Sequence, residues 1–486
     1  MLYNLDWLKE DQPFPPKCEL KRIEQYKNNA KIFDMTSFEE FSTLASKLIS
    51  NFDEYINFNL ILGYQRLVTL KLADMVCGAY PSITAKTDEL TDEIQQIRDV
   101  TNFDDKLYSS IVDFSRFGVT VYRLFKSEET DKGDFTCWDP TQWFPIIRND
   151  GTNRIKEHVL AWRQNIGTCD LPKYQLQVQR HPVEGGYYIE ETYSMDDSGT
   201  CIKNLVMSKK IDTDDYPCLI QHAANIPTTT NIYGTSDYLI INTLVYKATE
   251  RIKQILRILD IHADPSMTGP DTMLEPDKDG TLVLKMKQFY AVGPDEREPK
   301  YLTWDGQLDS AFKALEFLLN QLYILSEMGD AFLGASEKTG QAISGTAMRF
   351  KMASPLIKAR RVTNAITLPV KKLMASLLKF ENQNVRFQDI SIKWEDSLPK
   401  DPREQAELVR LQTGEPAIMP LKTALMEQYD MSSEDAEEWI KEIDSRGPKD
   451  NDTQPNIKQK GSTQSLTKGN EGSTGTSNKK SGAADR

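Results

Sequence analysis

Gly334-Ala335-Ser336-Glu337-Lys338-Thr339-Gly340 combines the glycines and the lysine of a phosphate-binding loop. In such a loop the second glycine comes five residues after the first and is followed by Lys and Ser/Thr, so that backbone N–H groups and the ammonium surround the phosphates. Here Thr339 fills that place and Lys338 precedes Gly340, so the segment reads as a mobile loop and not as a nucleotide site. Glu275-x-Asp277-x-Asp279-Gly280 begins like a calcium loop, but position twelve is Met286 where a bidentate Glu is needed, which leaves a β turn. Asp196 and Asp197 could act as an acid–base pair, yet beside Ser198-Gly199 they read as turn residues. His158, His181, His222 and His262 sit far apart in the chain, and no Ser, His and acid form a hydrolase motif. They read as surface or satisfied core residues. The sequence therefore offers no catalytic residue, no metal site and no cofactor.

A chain of 486 residues with 39% hydrophobic content can bury a core, and its length suggests about three domains. The net charge of −13 argues against tight binding of nucleic acid by phosphate neutralisation, which needs clustered Lys and Arg. Cys18, Cys77, Cys137, Cys169, Cys201 and Cys218 form no CxxC pair and read as free thiols. The start Met1-Leu2-Tyr3-Asn4-Leu5-Asp6 does not resemble a signal peptide, and no stretch reaches the ~18 apolar residues of a membrane span. Folding in a cytoplasm is expected.

The elements follow from periodicity. Residues 37–78 read as two helices, the second with Phe52, Tyr55, Ile56, Leu60, Ile61 and Leu67. A polar link leads to a helix through Leu107, Ile111 and Phe114 that ends near Gly118. Strands are expected at Val119–Phe125, Phe135–Trp138 and Trp143–Ile147. A β meander follows over Glu157–Ser208, with turns at Gly185-Gly186 and Asp197-Ser198-Gly199. A long helix over 235–260 has Thr235, Ser236 and Asp237 as candidate caps and an apolar stripe of Leu239, Leu244, Val245, Ala248, Ile252, Ile255, Leu256 and Leu259. A small strand-bearing module fills 263–305. The helix 308–328 then presents Leu308, Phe312, Leu315, Leu319 and Leu322 as a seam for another helix, in its own subunit or a neighbouring one.

From Gln341 to Phe380 there is no acid, while Arg349, Lys351, Lys358, Arg360, Arg361, Lys371, Lys372 and Lys379 supply eight positive charges. Such segregation suggests that this helix meets acidic surface in its own subunit or the next, or else meets DNA. Pro355 and Pro369 should each kink or end it. Helices are expected near 402–413, at Leu421–Tyr429 and at Ser433–Ser445, the last capped by Ser433 with Trp439 and Ile443 on one face. Residues 447–486 hold no aromatic residue and few apolar ones, a composition expected to stay disordered.

The order of these elements and a set of local words resemble the portal proteins of tailed bacteriophages. The words are Trp138-Asp139-Pro140 with Trp143-Phe144-Pro145, Ile226-Pro227, Tyr233-Gly234-Thr235-Ser236-Asp237-Tyr238, Asp264-Pro265, Ser344-Gly345-Thr346-Ala347 and Trp394-Glu395-Asp396-Ser397-Leu398-Pro399. The resemblance covers about residues 30–445. It implies an α+β subunit with an α/β wing over 1–234, stem helices at 235–262 and 306–329 flanking a β clip at 263–305, and a tunnel loop at 330–345. A kinked basic helix and return strand over 346–397, a helical crown at 398–446 and a disordered tail at 447–486 complete it. By the same resemblance, Ser336, Glu337, Lys338, Thr339 and Gln341 would face DNA, and Arg349, Lys351, Lys358, Arg360 and Arg361 would contact a neighbouring subunit or DNA. The implied assembly is a cyclic homo-oligomer, usually a dodecamer, at the portal vertex of a virion. Its implied partners are the terminase large subunit, a head-completion (adaptor) protein, major capsid and scaffold proteins and double-stranded DNA passing non-specifically, with no membrane. Two other classes remain: a DNA-packaging ATPase, which would need a real phosphate loop, and a capsid or baseplate structural protein that forms no ring.

Overall fold

The structure, a computed structural model, describes residues 1–35, 62–128, 132–213, 218–263, 267–268, 274–276, 282–284, 300–301, 308–329, 333, 350–395, 402–414, 417–429 and 431–445. The chain divides into two compact units, 1–399 and 400–486.

The first unit opens with α1 (Leu20–Asp34), α2 (Tyr64–Cys77), the short strand β1 (Ser82–Thr84), α3 (Asp88–Thr101) and α4 (Phe103–Phe117). Of the two helices expected over 37–78, α2 is described, whereas Phe52, Tyr55, Ile56, Leu60 and Ile61 lie outside the described residues. The link expected to be polar instead holds α3. Thr87 caps it by accepting the Leu90 N–H, and Asp88 and Glu89 complement the positive end of the helix. Only Ile94, Ile97 and Thr101 of α3 are buried, which is why its acidic sequence looks like a linker. α4 ends at Gly118, whose φ of +85° belongs to the left-handed region. A Cβ there would lie 2.6 Å from the carbonyl carbon of Thr235, so the glycine also permits close approach to the chain entering the next long helix.

Two antiparallel sheets follow. β2 (Val119–Lys126) lies between β3 (Gly133–Trp138) and β9 (Ile220–Ala224). The second sheet is the expected meander, in the order β4 (Trp143–Ile147), β5 (Ile155–Asn165), β6 (Tyr174–Pro182), β7 (Tyr187–Met195) and β8 (Ile202–Asp212). Its turns fall at Gly185-Gly186 and at Asp196–Gly199 as the sequence indicates. The Asp196 carboxylate accepts the N–H groups of Cys201 and Thr200 and the Ser198 hydroxyl, led by the Cys201 bond, which hold it well below the usual carboxylate range. It is a turn residue, not half of an acid–base pair. The N-terminal residues Leu2, Trp7, Leu8 and Phe14 bury themselves with Phe144, Ile146, Val159 and Leu176 of this sheet.

α5 (Asp237–Ala263) leaves the sheets, and α6 (Leu308–Leu325) returns alongside it. Of the three candidate caps, Ser236 does the capping, accepting the Tyr238 N–H at 3.1 Å. Between the helices β10 (Met267–Thr268) pairs with β13 (Lys300–Tyr301), and β11 (Leu274–Pro276) pairs with β12 (Leu282–Leu284). Pro276 stands opposite Leu282 in the β11–β12 pair, while Asp277, Asp279 and Gly280 of the stretch read as a turn lie outside the described residues.

α7 (Ala353–Phe380) differs most from expectation. Pro355 sits in its first turn, where no intrahelical N–H is required, and the helix continues past Pro369 to Phe380, so neither proline ends it. Ala359, Val362, Ile366, Val370, Leu373 and Leu377 form a buried face at helical spacing. That face joins Leu72 and Val76 of α2 and Leu107, Ile111 and Phe114 of α4 in the main core. β14 (Ser391–Lys393) then pairs with β1, bringing the chain back to its beginning.

The second unit contains α8 (Pro402–Thr413), α9 (Leu421–Tyr429) and α10 (Ser433–Ser445), the three helices read from the sequence. Val409, Ala424, Leu425 and Ala436 form its core. Ser432, not Ser433, caps α10: its hydroxyl accepts the Asp435 N–H and lies 2.8 Å from the Asp435 carboxylate. Trp439 and Ile443 share a face, but it is solvent-exposed, at 44% and 53%.

Candidate functional site

Where α5 begins, α6 ends and α7 starts, a buried polar joint ties the first unit together. Asp237 is 8% exposed and Lys358 is 3% exposed, with Nζ 3.0 Å from Asp237 Oδ1. Lys358 also donates to the Ser326 carbonyl at 2.9 Å, just beyond α6. The other carboxylate oxygen of Asp237 accepts the Ser115 hydroxyl of α4 at 2.7 Å. Ser115 lies 3.1 Å from Thr69 of α2, which in turn bonds the Tyr238 hydroxyl at 3.0 Å. Two charges removed from water are tolerable only when paired and hydrogen-bonded in this way. Asp237 gains further from its place at the positive end of α5.

The same joint brings the end of α6 and the start of α7 together. Arg361 pairs with the Glu327 carboxylate, and the Ser354 hydroxyl donates to the Glu327 carbonyl at 3.2 Å. Glu327 and Gly329 both adopt positive φ, 60° and 68°, which turns the chain out of the helix pair. The chain therefore leaves at 329 and re-enters at 350 beside the same few residues.

Along α5 and α6 the apolar residues divide. Ile241, Val245, Ala248, Ile255 and Leu322 are buried. Leu239, Ile240, Leu256, Leu259, Phe312, Phe317, Ile324 and Leu325 are exposed, with Leu239, Phe317 and Ile324 above 60%. The stripe read from the sequence of α5 is therefore split, and the expected seam residue Phe312 of α6 faces solvent. A cleft of about 420 Å³ runs between the helices, lined by Lys247, Glu250, Arg251, Gln254, Phe317 and Leu318.

Of the residues singled out by resemblance, Ser336, Glu337, Lys338, Thr339, Gln341 and Arg349 lie outside the described residues. Lys351 is exposed just before α7, and Arg360 is exposed on its second turn. Lys358 and Arg361 meet Asp237 and Glu327 of their own subunit. Sequence reasoning missed the partnership of Asp237 and Lys358, although one signal was present. Lys358 stands four residues before Val362 and eight before Ile366, on the apolar face of the helix, where a lone ammonium must find an anion.

Of the histidines, read from the sequence as surface or satisfied core residues, His158 and His181 are buried. Separated in the chain, three of them converge: His158 faces His181 across β5 and β6, and His158 and His222 lie 5.3 Å apart between ring centres. Trp143 Nε1 donates to His158 Nδ1 at 3.1 Å, which requires a neutral imidazole. Burial pushes His222 down to about 4, aided by Lys372, and His181 to about 3, aided by Arg123; His158 falls well below its ordinary value. Among the described residues no group of three or more His, Cys, Asp or Glu is arranged to hold a metal ion. Among them, too, no helix is long and apolar enough to cross a membrane.

Comparison with known proteins adds the following. The family described as "Phage portal protein, SPP1 Gp6-like" matches residues 278–449, in agreement with the resemblance read from the sequence. That family is structural and not enzymatic. No curated protein is similar enough to match. Solved structures that align include "Virion of native gene transfer agent (GTA) particle", at 11% identity and a TM-score of 0.45. Two others are "Neck of native GTA particle computed with C12 symmetry", at 12% and 0.41, and "Neck of empty GTA particle computed with C6 symmetry", at 13% and 0.43. Each alignment covers 75% of this chain and 89% of the other.

Proposed function

From its similarity to phage portal proteins over residues 278–449, we propose that this chain is the subunit of a closed ring that conducts double-stranded DNA at one vertex of a virion. The observation that carries the reading beyond the family match is the exposed apolar surface of α5 and α6. Many large apolar side chains left in water along two neighbouring helices suit an interface. One heterologous interface repeated around an axis must close to avoid filaments, and closure covers every copy of the surface. At 1.5 Å per residue the 27 residues of α5 make a wall about 40 Å long, rigid enough for a channel.

On this reading the helix segments 235–262 and 306–329 are the stem, and the paired strands of 263–305 form a clip that docks the terminase large subunit and later the head-completion protein. The wing, 1–234, faces major capsid and scaffold proteins. The loop 330–345 leaves its pinned base toward the channel, where Ser336, Glu337, Lys338, Thr339 and Gln341 meet DNA. Residues 346–397 return to the wing, and 398–446 form the crown. Exposed Lys351 and Arg360 contact acidic surface of the next subunit, while the net acidity lets DNA slide without being gripped.

Size-exclusion chromatography with light scattering, followed by negative-stain imaging, tests the ring. The expected particle is a ring of about twelve subunits. Monomers or dimers at every concentration and salt tried would overturn the reading, as would ATP hydrolysis that follows the protein peak.

A further inference from the structure

A cavity of about 710 Å³ lies among β2, β6, β7 and β8, beside the C-terminal end of α7. Three of its side chains have hydrogen-bonding capacity that the described residues leave unused. His181 is 3% exposed, and its buried Nε2 has no partner among the described residues. Its ring lies flat against Tyr188, with centres 4.9 Å apart and planes at 12°, so its orientation is held. Gln179 is 7% exposed with an unpartnered Oε1, while its amide nitrogen donates to Glu190 at 2.9 Å. Arg123 rests over Trp138 at 5.1 Å and Phe125 at 5.7 Å. Among the described residues its guanidinium has no hydrogen bond or ion pair.

Arg123 is partly buried, and burial weakens its hold on its proton although the nearby Glu190 carboxylate, itself engaged by Gln179, works the other way; a direct ion pair with a carboxylate would complete the arrangement. The planar fork of arginine suits a carboxylate, which it meets with two parallel hydrogen bonds. Glu128, Glu190 and Asp212 line the same cavity and would repel a doubly charged phosphate more than a single carboxylate. The rest of the lining includes Leu124, Ile211 and Leu219, fit for an apolar body, and the volume holds a short peptide segment. Gln179 Oε1 calls for an N–H donor, which a peptide supplies and a simple fatty acid does not.

We propose that this cavity receives a segment of a partner protein in which a carboxylate adjoins an apolar or aromatic side chain and a peptide N–H. The carboxylate pairs with Arg123 and accepts from the Nε2–H tautomer of His181, and the peptide N–H donates to Gln179. The proposal concerns the sheets of the first unit and holds whether or not the chain forms a ring.

The test uses the full chain with N-acetyl-L-phenylalanine, its carboxamide and inorganic phosphate, with binding read by ligand-observed NMR and by thermal shift. The acid is expected to bind at least tenfold more tightly than the amide, the loss typical of one charge-assisted pair. Arg123→Gln is expected to abolish that preference while leaving the unliganded melting temperature essentially unchanged. Equal binding of acid and amide, no binding of either, or preferential binding of phosphate overturns the proposal. The acid–amide comparison on the unaltered chain is decisive even if the variant fails to fold.

Discussion

Replacing Lys358 by Met removes the ammonium while keeping most of the apolar stem. Asp237 would then remain charged in a place 8% exposed, with the Ser115 hydroxyl at 2.7 Å as its closest support, and the Ser326 carbonyl would lose its donor. Breaking one side of a buried ion pair costs about 3–5 kcal/mol. The first unit spans residues 1–399, and at about 2.1 cal/mol/K per residue its unfolding entropy is on the order of 0.8 kcal/mol/K. The melting temperature should therefore fall by about 5 °C. Urea denaturation followed by circular dichroism, with calorimetry alongside, measures both quantities. Asp237→Asn combined with Lys358→Met removes both charges and should cost less than the sum of the single changes, by about 2 kcal/mol, because the two residues act as one unit. A loss below about 1 kcal/mol for Lys358→Met, or strict additivity in the pair, would refute the argument that the joint is a buried, mutually dependent ion pair.

The histidine cluster should make stability fall on acidification. With native values near 4 for His222 and near 3 for His181, the unfolded chain takes up protons first as pH drops below about 6.5. Each such histidine then costs about 1.4 kcal/mol per pH unit down to its native value, and His222→Phe should flatten the slope by about that amount. An unchanged slope would show that His222 is not a neutral core residue. Asp113, pushed up to about 6 by burial against the opposing pull of Arg116, works the other way: its contribution improves as pH falls from about 6 to 4, so Asp113→Asn should steepen the acid loss. Gly118→Ala should cost about 3 kcal/mol or more, because the methyl group meets the backbone of Thr235 and Ser236 within 2.9 Å at a φ of +85°; a near-neutral melting temperature would contradict it. Arg360→Glu changes an exposed charge, whereas Arg361 already has Glu327 as a partner. We expect Arg360→Glu to lower ring yield while the subunit melts as before, and normal rings that fail to package DNA would instead assign Arg360 to DNA or motor contact.

Much of the fold was legible because its signals are local. The meander could be read from alternation in Tyr174–Val178 and from the turns at Gly185-Gly186 and Asp197-Ser198-Gly199, since a strand pair joined by a short turn is determined within a few tens of residues. The boundary at Gly118 could be read because only glycine enters the left-handed region there without strain. The helices of the second unit carry their own stop and start signals at Gly414 and Ser432, and the cap differed from the expected one by a single residue. α3 was missed although its signals are present: Leu90, Ile94, Ile97 and Thr101 recur at helical spacing behind the Thr87 cap, but its many acids make it read as a polar link. The N-terminal residues were not legible because Trp7 and Phe14 find their burial against Phe144, which arrives more than a hundred residues later.

The sequence by itself indicated most of the described helices and strands, though not α3, and an order of words similar to that of portal proteins. These depend on residue type and spacing over short distances, where propensity, capping and periodicity act. Tertiary structure alone decided what the charges do. The acid-free segment from Gln341 to Phe380 left open whether its charges meet acid in their own subunit, in the next, or DNA; α7 turns its apolar face into the main core and sends Lys358 inward to Asp237 of the same subunit. Three histidines distant in the chain become neighbours because strand register, not sequence proximity, sets who faces whom. A buried charge or imidazole is defined by its dielectric surroundings and its partner, and both come from segments that meet only when the chain has folded.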